Sequence, residues 1–381
     1  MKNNINRLIA IYSLSMANAL VGTGISPALS AISAYFSDAP QVLIQMVVSL
    51  PSLLVMVVST FYSPLTNRVS MRNICVLALG LFTVGGMWGY FVENIYMLIF
   101  TRVLVGLAYG LMLPMSTGLV SYFYKKEEQQ RLNGNVVVIA ALVSILFMVV
   151  VGYLASISWR MCFLSYSFGI PCMWYCWKFI PNVTLRSPKN KISFGLVNRV
   201  FPFAVGMVST MIMYFALLNN CSRIVLAEGT VNPAIIGMIT SIQTIATTIT
   251  AMFADKLKKA CGQNLRFVIW GFGIISALAL SVPYSLVFLI IGLLSFGVTL
   301  GLAVGTFNAS AALVCEKEES LSATAVISFS RSLGQFSSPL VMAAVQALTG
   351  IQNIRFPYYA SGVLAVLMII FFIPVRIPDS I

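Results

Sequence analysis

Long apolar runs alternate with short polar turns along the whole chain. The runs lie near 8–36, 43–65, 74–92, 96–123, 134–157 and 161–180, then near 198–222, 233–254, 266–283, 286–314, 321–348 and 357–375. About 20 apolar residues carry a helix through the hydrocarbon core of a bilayer, so the pattern predicts twelve membrane-spanning helices. An all-α polytopic membrane protein follows. The longest polar stretch, Pro181 to Leu196, carries Arg186, Lys189 and Lys191 among turn formers and divides the chain near its midpoint. The expected organisation is a six-helix bundle over 1–181, a cytoplasmic linker over 182–196 and a second six-helix bundle over 197–381.

Composition supports lipid as the solvent: 59% of the 381 residues are hydrophobic and 9% charged, with a mean hydropathy of +0.94, against about 25% charged in a soluble domain. The polar start, Met1 to Arg7, leads into an apolar stretch too long for a signal-peptide core and is read as the first span. The net charge of +13 takes its meaning from position. With the N-terminus inside, the outer turns hold only Arg160, Arg223 and Arg355 as cations, while Arg68, Arg72, Lys125, Lys256, Lys259 and nearly all the others fall on the inner side. That is the positive-inside rule. It places both termini in the cytoplasm of a cell with this protein in its cytoplasmic membrane, assigns the basic charge to the lipid bilayer and its anionic headgroups, and removes the case for nucleic acid. Seven cysteines, mostly within apolar runs and without zinc-type spacing, read as packing residues.

The two halves echo each other. Gly106-Leu107-Ala108-Tyr109-Gly110 returns as Gly301-Leu302-Ala303-Val304-Gly305, and Leu65-Thr66-Asn67-Arg68-Val69 matches Phe253-Ala254-Asp255-Lys256-Leu257 at nearly the same offset. Parallel six-span repeats mark a two-bundle carrier with its solute between the halves near the midplane.

At these residues the chain resembles the major facilitator superfamily, in its twelve-span branch that includes drug:proton antiporters. Arg102, Gly106 and Gly110 reproduce the fourth-span pattern R-x-x-x-G-x-x-x-G, and Pro27-Ala28-Leu29 and Trp159-Arg160-Met161-Cys162-Phe163 look like further landmarks. The turn after the second span, Ser63 to Arg72, keeps Leu65, Arg68 and Arg72 of the family motif and has Asn67 where the family has an aspartate. The fifth-span antiporter motif is reduced to Gly152. The resemblance implies a monomeric secondary carrier that moves a small-molecule substrate by alternating access, with the first, fourth, seventh and tenth spans lining its cavity and coupling protons as a partner. It also implies gating at Asn67, Arg68, Arg72, Asp255 and Lys256; the one-turn glycine pairs Gly106/Gly110 and Gly301/Gly305 are expected to serve gating too.

Arg102 and Arg331 lie within spans, where a charge usually faces a wet cavity or a partner. With them, Asn18, Tyr109, Tyr214, Asn219, Asn220, Gln243, Asn308 and Gln335 form the candidate substrate-binding set, and Met112, Met115, Met211 and Met213 an adaptable apolar wall. The ten acidic residues all map to loops or span ends and histidine is absent. Proton uptake therefore has only Asp255, Asp38 and Glu228 to use. The same absence leaves an enzyme, a haem or a metal without its groups, so no cofactor and no metal site are expected. Export of amphiphilic or drug-like compounds is the expected direction, with uptake of a small organic anion through Arg102 and Arg331 as the competing reading, and a non-transporting membrane sensor as a different class.

Overall fold

Helix follows helix because a backbone in lipid must satisfy its own N–H and C=O groups. The computed structural model describes residues 2–21, 25–184, 194–229, 233–283, 285–315 and 319–378. Within them the order is α1 (Lys2–Ala19), α2 (Leu29–Tyr35), α3 (Gln41–Arg68), α4 (Met71–Trp88), α5 (Ile95–Phe123), α6 (Lys126–Ile157) and α7 (Gly169–Phe179), then α8 (Phe194–Ala227), α9 (Pro233–Cys261), α10 (Leu265–Ser281), α11 (Leu286–Leu313), α12 (Ser320–Thr349) and α13 (Phe356–Phe372). Polar residues in the turns start several of them. The side chains of Ser70, Asn94 and Ser285 accept the backbone N–H of Asn73, Tyr96 and Phe288, satisfying donors that a helix start leaves free. Gly350, in the left-handed region at φ 68°, ends α12.

Among the described residues, eight helices are long and apolar enough to cross a membrane, and α13 is a shorter apolar one. The other three predicted spans differ for identifiable reasons. The first is divided into α1 and α2, with 22–24 outside the described residues. The sixth opens with the 3-10 segment Trp159–Phe168 before α7. The eleventh, α12, is long enough but is diluted by serines, Gln335 and Arg331. The set remains consistent with twelve spans.

The chain divides into two compact units, one of residues 1–189 with 233–238, the other of 190–232 with 239–381. Most of the basic linker, 185–193, lies outside the described residues, and the stretch 194–196 that the sequence reading gave to the linker belongs to α8. In the first unit α5 packs on α3 and α4, and Phe82, Phe163 and Tyr166 are fully buried. In the second, α8 packs on α12 and α10 on α11 and α13, around Trp270, Phe307 and Phe372.

The repeated glycines do the same work in each unit. A Cβ on Gly106 would stand 2.8 Å from the Pro51 Cα, and one on Gly110 2.7 Å from the Val58 Cβ, so both admit α3 against α5. A Cβ on Gly301 would stand 2.7 Å from the Thr247 carbonyl oxygen, and one on Gly305 3.3 Å from the Ala254 Cβ, where α9 meets α11. Small residues let helices approach to backbone contact. The sequence repeat is thus a repeat of one helix crossing inside each unit.

Candidate functional site

The polar side chains in the spans of the second unit occupy two levels. At the upper level the Tyr214 ring of α8 stacks on Phe296 of α11, centroids 6.1 Å apart and planes within 5°. The next residue of α11, Gly297, lies against the Gln243 carbonyl of α9. Tyr214 and Gln243 therefore share a layer. Gln243 donates to the Thr247 hydroxyl at 3.1 Å, but its amide oxygen, buried, has no partner among the described residues. Asn219 lies about 8 Å further toward the C-terminal end of α8. It is 1% exposed, and neither atom of its amide has a partner among the described residues.

Asn220 and Asn308 behave differently. Each turns its amide N–H back onto its own helix, to Ala216 O and Val304 O at 2.8 Å. In the first unit, Asn18 on α1 is buried with its amide oxygen unpartnered among the described residues, and Tyr109 on α5 is half-buried.

Arg331 marks the lower level. Gly334 of α12 packs against Val208 and Met211 of α8, and the Ser338 hydroxyl donates to Ile212 O at 2.7 Å, which fixes the register of the two helices. Arg331 then stands about 13 Å from the Tyr214 layer toward the N-terminal ends of α8 and α12, on the α12 face that also carries Thr324, Gln335 and Ser338. Phe329, Leu333 and Leu340, all exposed, lie on the opposite face. Arg331 is exposed, and no acceptor among the described residues bonds to it.

Arg102 has the opposite environment. It is 1% exposed and donates to the Tyr166 hydroxyl at 3.0 Å, to Gly85 O at 3.3 Å and to the Thr101 hydroxyl at 3.1–3.2 Å. Phe163 and Tyr166 face its guanidinium, with centroids at 4.9 and 5.2 Å. It ties α4, α5 and the Trp159–Phe168 segment together through four hydrogen bonds to protein.

Of the proposed gating residues, Arg72 donates through Nε to Ile180 O at 2.8 Å, next to a bridge between Ser70 and Thr184, so it anchors the end of α7 within its own unit. Asn67 and Arg68 are exposed at the end of α3. Lys256 is exposed over the Phe253 ring; the Asp255 side chain lies outside what is described.

Two contacts went unread in the sequence. Arg355 binds the Glu228 carboxylate through both Nε, at 2.7 Å, and Nη2, and donates to Leu280 O through Nη1; both side chains of the pair are 10% exposed. Arg160 donates to the Tyr35 hydroxyl at 3.0 Å and to Val92 O at 3.4 Å. Each arginine opens the last span of its unit, and each reaches the C-terminal ends of the first and third spans. The signal was present: Arg160 and Arg355 are separated by the same offset as Gly106 and Gly301. Glu228, a candidate proton site from sequence, is instead committed to Arg355.

Two helical units of membrane-crossing apolar helices, built on one repeated crossing and one repeated outer contact, define a polytopic membrane protein of the two-bundle type. The sequence profile of the Major Facilitator Superfamily matches residues 11–227, and the chain belongs to that family. No curated protein sequence matches. Among solved structures it is similar to a bacterial homologue of the human lysosomal transporter Spinster in an inward-facing, unoccupied conformation, with 12% identity, a TM-score of 0.76 and 96% of each chain covered. It is also similar to a D-xylose-proton symporter, with 13% identity, a TM-score of 0.76 and 98% of each chain covered, and to the nucleoside transporter NupG, with 12% identity, a TM-score of 0.75 and 96% and 97% covered. At such identities the likeness is one of fold.

Proposed function

We propose that this protein is a secondary carrier of the cytoplasmic membrane that moves a small amphiphilic or weakly anionic organic solute outward by alternating access, with both termini in the cytoplasm. The observation that carries the reading is the unpartnered amide of Asn219, seconded by the amide oxygens of Gln243 and Asn18. A buried polar group without a partner costs about 1–3 kcal/mol. A structural amide would be satisfied by its own helix, as Asn220 and Asn308 are; these three keep their capacity for a solute. Tyr214 and Phe296 offer an aromatic face beside Gln243, and the inner turns of α12 add Arg331 and Gln335. Arg102 is left out of the set because it is buried and four of its N–H donors are bonded to protein.

Asn219→Leu separates the reading from a packing role. It removes the orphaned amide, so the purified variant gains heat stability, while export of amphiphilic fluorescent dyes into inside-out vesicles drops at least tenfold. Unchanged dye movement in a stabilised Asn219→Leu protein would sink the assignment, and dye movement in the opposite sense would replace export with uptake.

A further inference from the structure

We propose that Arg331 makes the protein an obligatory exchanger of organic anions, in which an anion on one side must bind before the carrier that released an anion on the other can return. The inference rests on the carrier reading above and adds its mode of coupling. Its starting point is the contrast between two intramembrane arginines. Arg102 is clothed by a phenol hydroxyl, a threonine hydroxyl, a backbone carbonyl and two aromatic faces. Arg331 has no such clothing, although it lies about 16 Å along α12 from its N-terminal end at Ser320, on a face whose next turns are the buried Gln335 and Ser338.

Among the described residues no acid neutralises it. Among the described residues Glu228 is bound by Arg355 and Glu319 by Arg199, and the sequence holds no carboxylate inside a span. A guanidinium does not shed its proton in a protein. While its side of the carrier is open, water solvates it. Alternating access then requires a state closed to water on both sides, and a bare arginine near the bilayer centre is penalised enough to slow that passage by roughly a hundredfold. A carboxylate or sulfonate lying in the plane of the guanidinium accepts two parallel hydrogen bonds and cancels the charge. The loaded carrier crosses and the empty one waits. Exchange of one monovalent anion for another moves no net charge and needs no proton, which suits a membrane interior without carboxylates.

The test uses the full-length protein in liposomes, with dansylate as a fluorescent amphiphilic anion and the dansyl sulfonamide of N-methylglucamine as its uncharged partner. Wild-type protein releases dansylate about a hundredfold faster into buffer containing naphthalene-1-sulfonate than into buffer with a large impermeant anion. Arg331→Lys keeps that acceleration, and Arg331→Gln loses it while eluting as a monodisperse protein with an unchanged melting temperature. Equal release with and without external sulfonate, or an acceleration that survives Arg331→Gln, overturns exchange and leaves Arg331 as a side chain stretched toward the inner surface. Movement of the uncharged probe alone overturns the anion site but keeps the carrier; movement of neither probe in folded wild-type protein goes against the carrier reading itself.

Discussion

Tyr166→Phe removes a single oxygen from the clamp around Arg102 and keeps the ring that packs on Phe82 at 4.9 Å and lies under the guanidinium at 5.2 Å. The lost contact is the 3.0 Å bond from Arg102 Nη1. A neutral hydrogen bond between membrane helices is worth about 0.6 kcal/mol on average, whereas a bond to a charged group is worth about 1.5–3 kcal/mol. The guanidinium here is buried with no acid bonded to it among the described residues, so the second figure applies and the variant loses about 2 kcal/mol. Arg102→Met loses about 3 kcal/mol, since it also strips partners from Gly85 O and Thr101. The double variant should be no worse than Arg102→Met, which gives a coupling of about 2 kcal/mol. Unfolding is followed in lipid–detergent micelles with a thiol-reactive fluorogenic maleimide, for which Cys75, Cys162, Cys172, Cys176 and Cys221, all free and buried, are reporters in both units. Additive losses, with coupling below about 0.6 kcal/mol, would refute the clamp. So would Arg102→Met losing anion affinity at full stability.

Glu228→Gln leaves Arg355 buried without its counter-charge and should cost about 3–5 kcal/mol, whereas replacing both by leucine and methionine should cost far less; thermal unfolding of the two variants decides it. Gly106→Ala and Gly301→Ala press a methyl against backbone atoms at 2.7–2.8 Å and should each destabilise by about 1–3 kcal/mol. Gly118→Ala, with nothing within 4 Å of the new carbon, should be neutral or stabilising by up to about 1 kcal/mol. Equal effects at all three glycines would remove the crossing as their reason.

The legible part of this fold is the part that hydropathy controls. Run 96–123 becomes α5 at Ile95–Phe123, and run 286–314 becomes α11 at Leu286–Leu313, because in lipid an apolar stretch has the helix as its way to satisfy the backbone. Hydropathy does not report how the backbone is wound, so the 3-10 opening of the sixth span at Trp159–Phe168 was invisible. The site divides in the same way. That Arg331 shares a face with Gln335 and Ser338, away from Phe329 and Leu333, is helical periodicity and can be read from the letters. That Arg102 is a clamp depends on Tyr166, 64 residues away, and on a packing of α4, α5 and the 3-10 segment that no local pattern encodes. The glycines were legible as a repeat and expected as gating elements; their neighbours show a helix crossing inside each unit.

The two outer contacts carry the comparison of the halves one step further. In the first unit Arg160 meets a neutral hydroxyl, with Tyr35 47% exposed, and an exposed contact of that kind contributes little to stability. In the second, the same position meets a carboxylate at 10% exposure, where loss of one partner is expensive. The repeat has been kept in geometry and changed in chemistry. One consequence is mechanical: the tie at the start of α13 is firmer than the one at the start of the sixth span. The other is electrostatic, because the acid at the C-terminal end of α8, Glu228, is spent on that tie. With Glu228 paired to Arg355 and Glu319 to Arg199, the second unit has no other acid among the described side chains to offset Arg331.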